Sequence, residues 1–123
     1  MAYVGGGFHG HGLHSVLEPA ACAVPVLFGP AWQSSREAGE LLSHRAAAVI
    51  SPEFPDWLDL DSLTTGGGAS PLAAIWLAML RNPAHAAAAG RRALECVEAG
   101  VGAATRNAGL VERLMESGRP TVR

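Results

Sequence analysis

The sequence predicts an α/β domain built on a short parallel β-sheet with flanking helices and a helical C-terminal tail. Three short apolar runs, at 2–4, 24–30 and 46–50, alternate with helical patterns, which is typical of parallel strands joined by crossover helices. Hydrophobic residues make up 49% of the chain and charged residues 16%, and this composition excludes a disordered segment. A length of 123 residues suits a single domain with one core.

The first half of the chain carries the strand signals and two helix starts. AYV at 2–4 predicts the end of a strand that runs directly into glycine, and Ser15 followed by VLEPAACA predicts a short helix. VPVLFGP at 24–30 predicts a buried strand that ends at a Gly-Pro pair. Ser34 with Glu37 three residues later forms a capping-box pattern, which predicts that the next helix starts there.

After the third apolar run, prolines, acidic residues and a triple glycine predict a loop over 51–69. Ser70 then predicts a helix cap, with Pro71 at the first helical position. Apolar residues at helical spacing predict the buried face of this helix: Leu72, Ile75, Trp76, Met79 and Leu80.

Two further helices are predicted at the C-terminal end. Asn82 and Pro83 repeat the cap-and-proline start for a helix that ends near Gly100. A last helix is predicted over 103–117. Its apolar spacing predicts a buried stripe: Leu110, Val111 and Leu114.

Charge and cysteine content narrow the class of protein. All nine basic residues are arginine, and the eleven acidic residues outnumber them. The sequence therefore lacks the excess of basic residues that is typical of a nucleic-acid-binding protein. Cys22 and Cys96 lie in alanine-rich helical stretches, and we expect two buried, reduced thiols. No apolar run approaches the roughly 20 residues of a membrane-spanning helix.

The loop between the first strand and the first helix, residues 5–16, concentrates glycine and histidine; we call it the glycine loop. His9, His11 and His14 give an HxHxxH spacing close to the HxHxDH pattern of binuclear metallo-hydrolases. Leu13 stands where that pattern needs aspartate, and no further ligand-like group follows. We therefore expect no metal.

A dinucleotide loop is a second interpretation. Gly5, Gly7 and Gly10 satisfy G-x-G-x-x-G after a strand. Gly12 intervenes before the helix, however, and the second strand ends without the acidic residue that holds a ribose in such folds. This match is therefore a weak one.

A third interpretation is a phosphate site, in which backbone N–H groups of the glycine loop and the helix opened by Ser15 face an anion. Glu18 has two possible roles there. Ser15-x-x-Glu18 is itself a capping box, so the carboxylate can fold back onto the backbone. Alternatively, the carboxylate accepts hydrogen bonds from ribose hydroxyls.

Several blocks in order resemble the C-terminal half of the 3-deoxy-D-manno-octulosonic acid (Kdo) transferases. That family has a V-G-G-S/G loop, then G-x-H-N-x-L-E-P-A-A, then P-V-L/I-x-G-P and a helix with E-x-x-x-L. Here the corresponding blocks are VGGGFHGHGLHSVLEPAA, PVLFGP and REAGELL, within residues 3–42, and GAATR at 102–106 is similar to the family's closing segment. Ser15 stands where the family has asparagine.

The resemblance implies the Rossmann-like C-terminal half of a two-domain (GT-B) glycosyltransferase, with CMP-Kdo as donor and a lipid A precursor as acceptor. Donor-nucleotide contacts are then assigned to these residues: Gly6, Gly7, Gly12, His14, Ser15 and Glu18. The glycines would let the backbone approach the donor, and His14 and Ser15 would shape or contact the nucleotide side of the site. Glu18 would accept hydrogen bonds from ribose or sugar hydroxyls. No metal or other cofactor is implied.

The resemblance also implies that residues 1–123 are one domain of a longer protein. An upstream acceptor domain would carry the catalytic carboxylate and the surface that meets the cytoplasmic face of the inner membrane. We therefore expect this chain to be inactive alone. The alternatives are the donor domain of another GT-B glycosyltransferase and a non-catalytic α/β interaction module.

Overall fold

A computed structural model describes residues 1–10, 12–51 and 70–117 of the chain. His11 and all but the first residue of the loop predicted at 51–69 lie outside these ranges. The elements are, in order: β1 (Ala2–Val4), α1 (Leu17–Ala21), β2 (Val26–Phe28), α2 (Arg36–Ser43), β3 (Ala47–Val49), α3 (Pro71–Arg81), α4 (Pro83–Gly100) and α5 (Ala103–Ser117).

The three strands form one open parallel sheet in the order β1-β2-β3. Tyr3 lies opposite Leu27, and Leu27 lies opposite Ala48. The central strand β2 is buried along its whole length. The predicted α/β class with a parallel sheet is thus confirmed, although the strands at 26–28 and 47–49 are shorter than the apolar runs around them.

Helices cover both faces of the sheet. Phe28 packs in a cluster with Leu41 of α2 and Ala93 of α4, whereas Leu27 packs in a second cluster with Ile75 of α3. Neighbouring residues of a strand point to opposite faces, so β2 supplies side chains to both clusters. This arrangement is consistent with a Rossmann-like fold.

Two helix starts match the predicted caps. The Ser70 hydroxyl accepts a hydrogen bond from the Ala73 amide at 3.3 Å, and Pro71 follows it at the first helical position. The Asn82 side chain accepts from the His85 amide at 3.1 Å at the start of α4. In both cases a short polar side chain satisfies an amide that has no partner inside the helix.

Two other predicted caps are wrong. Ser35, rather than Ser34, caps α2: its backbone is extended and its hydroxyl accepts from the Ala38 amide at 3.2 Å. Helix α1 begins after Val16, and no side chain caps it. Val16 already has helical dihedral angles, so the chain enters α1 without the extended residue that a Ser15 cap requires.

The predicted face of α3 is confirmed in part. Ile75 and Met79 are buried against the sheet, but Trp76 is 37% exposed and Leu80 is 63% exposed. Ala74 and Ala78 share the buried face, and Ala78 packs in the cluster with Leu27 and Ala48. The face that packs is therefore rotated away from Leu80.

The predicted buried stripe of α5 is wrong, since Leu110, Val111 and Leu114 are all exposed. Within the described ranges, α5 packs little against the other elements.

The expected burial of the cysteines is also wrong for Cys22, which is exposed, while Cys96 is partly buried. Both thiols are free.

Candidate functional site

The glycine loop and the loop after β2 leave the same edge of the sheet, because the strands are parallel. The two loops touch: the Ala31 amide donates to the Gly7 carbonyl oxygen at 2.8 Å. A Cβ atom on Gly7 would lie 2.7 Å from the Gly29 nitrogen, so this approach requires glycine at position 7. The close contact between the two loops therefore depends on Gly7.

The glycine loop also closes on itself. Gly6 has a φ of 90°, and a Cβ atom there would meet the Gly12 carbonyl oxygen. The His14 amide donates to the Gly5 carbonyl oxygen at 3.2 Å. Gly6 is thus required by the backbone of the loop itself.

A cleft of about 470 Å³ lies where the end of the glycine loop meets the start of α2. One wall is formed by residues 12–17, and the other by Ser34, Ser35 and Glu37. We call it the first cleft. Its hydrogen-bonding side chains are hydroxyls, one imidazole and one carboxylate, a set that can both donate to and accept from a polar ligand.

The six residues predicted to bind a donor fall into two groups. Gly12, His14 and Ser15 line the first cleft. The other three do not: Gly6 and Gly7 lie in the packed part of the loop, and Glu18 is exposed in the first turn of α1.

Ser34, Ser35 and Glu37 were not predicted as site residues, although their sequence held a usable signal. The polar segment follows directly after the second predicted strand. Loops that follow parallel strands meet at one edge of the sheet, so residues after β1 and after β2 are expected to face each other. Ser34 and Glu37 also fit a capping box, a pattern that predicts a helix start and not a binding site.

A second cleft of about 890 Å³ adjoins the first, and Leu17 and Glu37 line both. We call it the second cleft. Its lining includes Cys96 and Glu40, and Glu40 forms a 2.8 Å ion pair with Arg36.

Burial raises the pKa of the Cys96 thiol, and the nearby carboxylates of Glu40 and Glu95 raise it further. This thiol is therefore protonated and a poor nucleophile near neutral pH.

The two other interpretations of the glycine loop gain no support from these positions. The described residues hold no group of three or more histidine, cysteine or acidic side chains placed to bind a metal ion, and His11 of the HxHxxH spacing lies outside them. Helix α1 begins only at Leu17, whereas a dinucleotide fingerprint places the helix start inside the glycine motif.

Comparison with known proteins finds no matching family model, no matching curated protein and no matching solved structure. Among the helices of the described ranges, none has the length and apolar character needed to cross a membrane. Function is therefore inferred from the first cleft and from the sequence blocks that resemble the Kdo transferases.

Proposed function

We propose that this chain binds the nucleotide of a CMP-activated sugar, as the donor-binding part of a Kdo transferase of the GT-B type. One observation carries the proposal. Gly12, His14 and Ser15, which belong to the block that resembles the family's donor motif, line a cleft at the carboxyl edge of a parallel sheet. In open α/β sheets this edge is where ligands bind.

The size and chemistry of the first cleft suit a nucleotide. Its volume of about 470 Å³ lies within the range of small-molecule sites. The hydroxyl of Ser15 and the imidazole of His14 can donate to phosphate oxygens, so no lysine is needed. Leu13 and Leu17 offer apolar surface in the same wall, where a base can pack.

The resemblance assigns Glu18 as an acceptor for ribose or sugar hydroxyls, and its position outside the first cleft favours the sugar hydroxyls of the donor. The competing role is weakened, because no side-chain hydrogen bond caps α1 and the reciprocal capping by Ser15 and Glu18 is therefore not made. The exposed carboxylate of Glu18 is open to a ligand that extends past the first cleft.

In the complete transferase, this donor domain would face an acceptor domain that holds the lipid A precursor at the cytoplasmic face of the inner membrane. The transfer step needs both substrates held in one geometry. We therefore propose that residues 1–123 bind the donor but do not transfer the sugar on their own. The transfer itself would belong to the complete transferase, in lipopolysaccharide synthesis. Transferase activity of the purified chain, with no other protein added, would contradict this.

Calorimetric titration of the chain with CMP, UDP and NAD tests the proposal. We expect CMP to bind and the other two to bind more weakly. Ser15→Ala should weaken CMP binding by about tenfold, since a hydrogen bond to a charged group is lost. Ser15 caps no helix, so this variant should fold normally. Ser117→Ala on α5 is the matched control and should bind CMP like the parent chain.

Two results would overturn the proposal. One is a folded chain that binds none of the three nucleotides, which would favour a non-catalytic interaction module. The other is selective binding of UDP, which would favour the donor domain of another GT-B glycosyltransferase. Circular dichroism of each sample establishes that the chain is folded.

A further inference from the structure

We infer that Glu37 accepts hydrogen bonds from the adjacent ribose hydroxyls of the nucleotide and so selects ribose over deoxyribose. This inference rests on the proposed nucleotide-binding function. Its starting point is a difference in position between two carboxylates. Glu37 lines the first cleft, whereas Glu18 does not.

The Glu37 carboxylate contacts the hydroxyl of Ser35. The Ser35 hydroxyl donates to Oε2 of Glu37 at 3.3 Å and accepts from the Ala38 amide at 3.2 Å. Since the Ala38 amide belongs to the first turn of α2, the hydroxyl is fixed by the helix and directs its proton to Glu37. Within the described ranges, this is the hydrogen bond that the carboxylate accepts from the protein, so Oε1 is left for a ligand.

The charge of Glu37 determines which part of a ligand can approach it. Of the described residues that line the first cleft, Glu37 is the one with a formal charge when His14 is neutral. A carboxylate only accepts hydrogen bonds, so its partner must be a donor. It also repels a phosphate at short range. A nucleotide in this cleft is therefore oriented with its hydroxyls at Glu37 and its phosphate toward Ser15 and His14.

A purely structural role of Glu37 can be separated from this one. An acidic residue in the first turn of a helix stabilises the helix through its dipole. That effect changes the stability of the fold but is the same whichever nucleotide is offered. The ratio of affinities for a ribonucleotide and a deoxy analogue reports the hydroxyl contact alone.

The test compares CMP with 2′,3′-dideoxy-CMP by calorimetry on the 123-residue chain. We expect the parent chain to bind CMP about tenfold more tightly, the effect of losing a hydrogen bond to a charged acceptor. In Glu37→Gln this preference should fall to about threefold, through weaker binding of CMP and unchanged binding of the analogue, because the amide oxygen still accepts a hydrogen bond but carries no charge. Glu40→Gln is the matched control: it removes the ion pair with Arg36 on the same helix and should keep the preference.

The outcomes distinguish the role of Glu37 from nucleotide binding itself. A parent chain that binds CMP and the analogue equally well overturns the role of Glu37 and leaves nucleotide binding intact. The same holds if Glu37→Gln keeps the full preference, or if Glu18→Gln alone abolishes it. A folded parent chain that binds neither nucleotide overturns both.

Discussion

The amide of Ala31 donates a 2.8 Å hydrogen bond to the carbonyl oxygen of Gly7, and this bond fixes the two loops that frame the first cleft relative to each other. The contact is purely backbone. Backbone atoms in contact cannot move apart as easily as the end of a flexible side chain can. The separation of the cleft walls therefore depends on a glycine that does not itself line the cleft.

We predict that Gly7→Ala lowers the free energy of unfolding by about 1–3 kcal/mol, the usual cost of overpacking a tight contact. The added Cβ would stand 2.7 Å from the Gly29 nitrogen. Gly10→Ala is the matched control, because a Cβ atom added at Gly10 would meet no heavy atom within 4 Å, and its effect should stay within about 1 kcal/mol. Urea denaturation of both variants measures the difference. Equal stabilities would show that the loops separate without cost.

Leucines in two helices should differ sharply in their contribution to stability. Leu41 of α2 is 1% exposed and packs beside Phe28, so Leu41→Ala should lower the free energy of unfolding by about 2–5 kcal/mol. Leu114 of α5 is 70% exposed, so Leu114→Ala should change it by less than about 0.5 kcal/mol. Chemical denaturation compares the two variants. A large loss for Leu114→Ala would mean that α5 packs against the domain in solution.

The helix starts show how far local sequence determines this fold. The caps at Ser70 and Asn82 were predicted correctly, because a cap followed by proline is specified by adjacent residues. At the start of α2 two serines are adjacent, and the residue type alone does not decide which one takes the extended backbone. Capping chemistry thus predicts that a helix starts but can miss the residue by one.

The apolar stripe of α5 shows where the sequence stops being informative. Spacing predicts that Leu110 and Leu114 share a face, but burial depends on whether another element lies against that face. The candidate site is a similar case. Gly12, His14 and Ser15 were predicted from one segment, whereas Glu37 reaches the same cleft only through the order of strands in the sheet.

The two cysteines should react at different rates. Burial and the carboxylates of Glu40 and Glu95 raise the pKa of the Cys96 thiol, whereas Cys22 is exposed. At a pH near the ordinary thiol pKa of about 8.5, Cys96 therefore holds less of the reactive thiolate than an ordinary thiol does. Cys96 is also less exposed than Cys22, so its alkylation should be slower. Its rate should keep rising at higher pH. Mass spectrometry of iodoacetamide-treated Cys22→Ser and Cys96→Ser variants measures each thiol alone, and faster modification of Cys96 would contradict the prediction.

Helix α2 ends in a Schellman motif with an arginine at the position that usually holds glycine. The Ala46 amide donates to the Leu41 carbonyl oxygen at 2.9 Å, and the Arg45 amide donates to the Leu42 carbonyl oxygen at 3.0 Å. Arg45 consequently has a φ of 55°, in the left-handed region. Its own carbonyl oxygen accepts from the Arg92 guanidinium at 2.8 Å, and this contact does not depend on the side chain at position 45.

We therefore predict that Arg45→Gly raises the free energy of unfolding by about 0.5–1 kcal/mol. A left-handed residue with a Cβ costs about 1–2 kcal/mol, and the greater freedom of glycine in the unfolded chain offsets part of the gain. Arg45→Ala is the matched control: it removes the side chain, keeps the Cβ, and should leave stability nearly unchanged. Guanidinium denaturation distinguishes the two variants. If alanine stabilises as much as glycine, the arginine side chain and not the backbone conformation is the source of the strain.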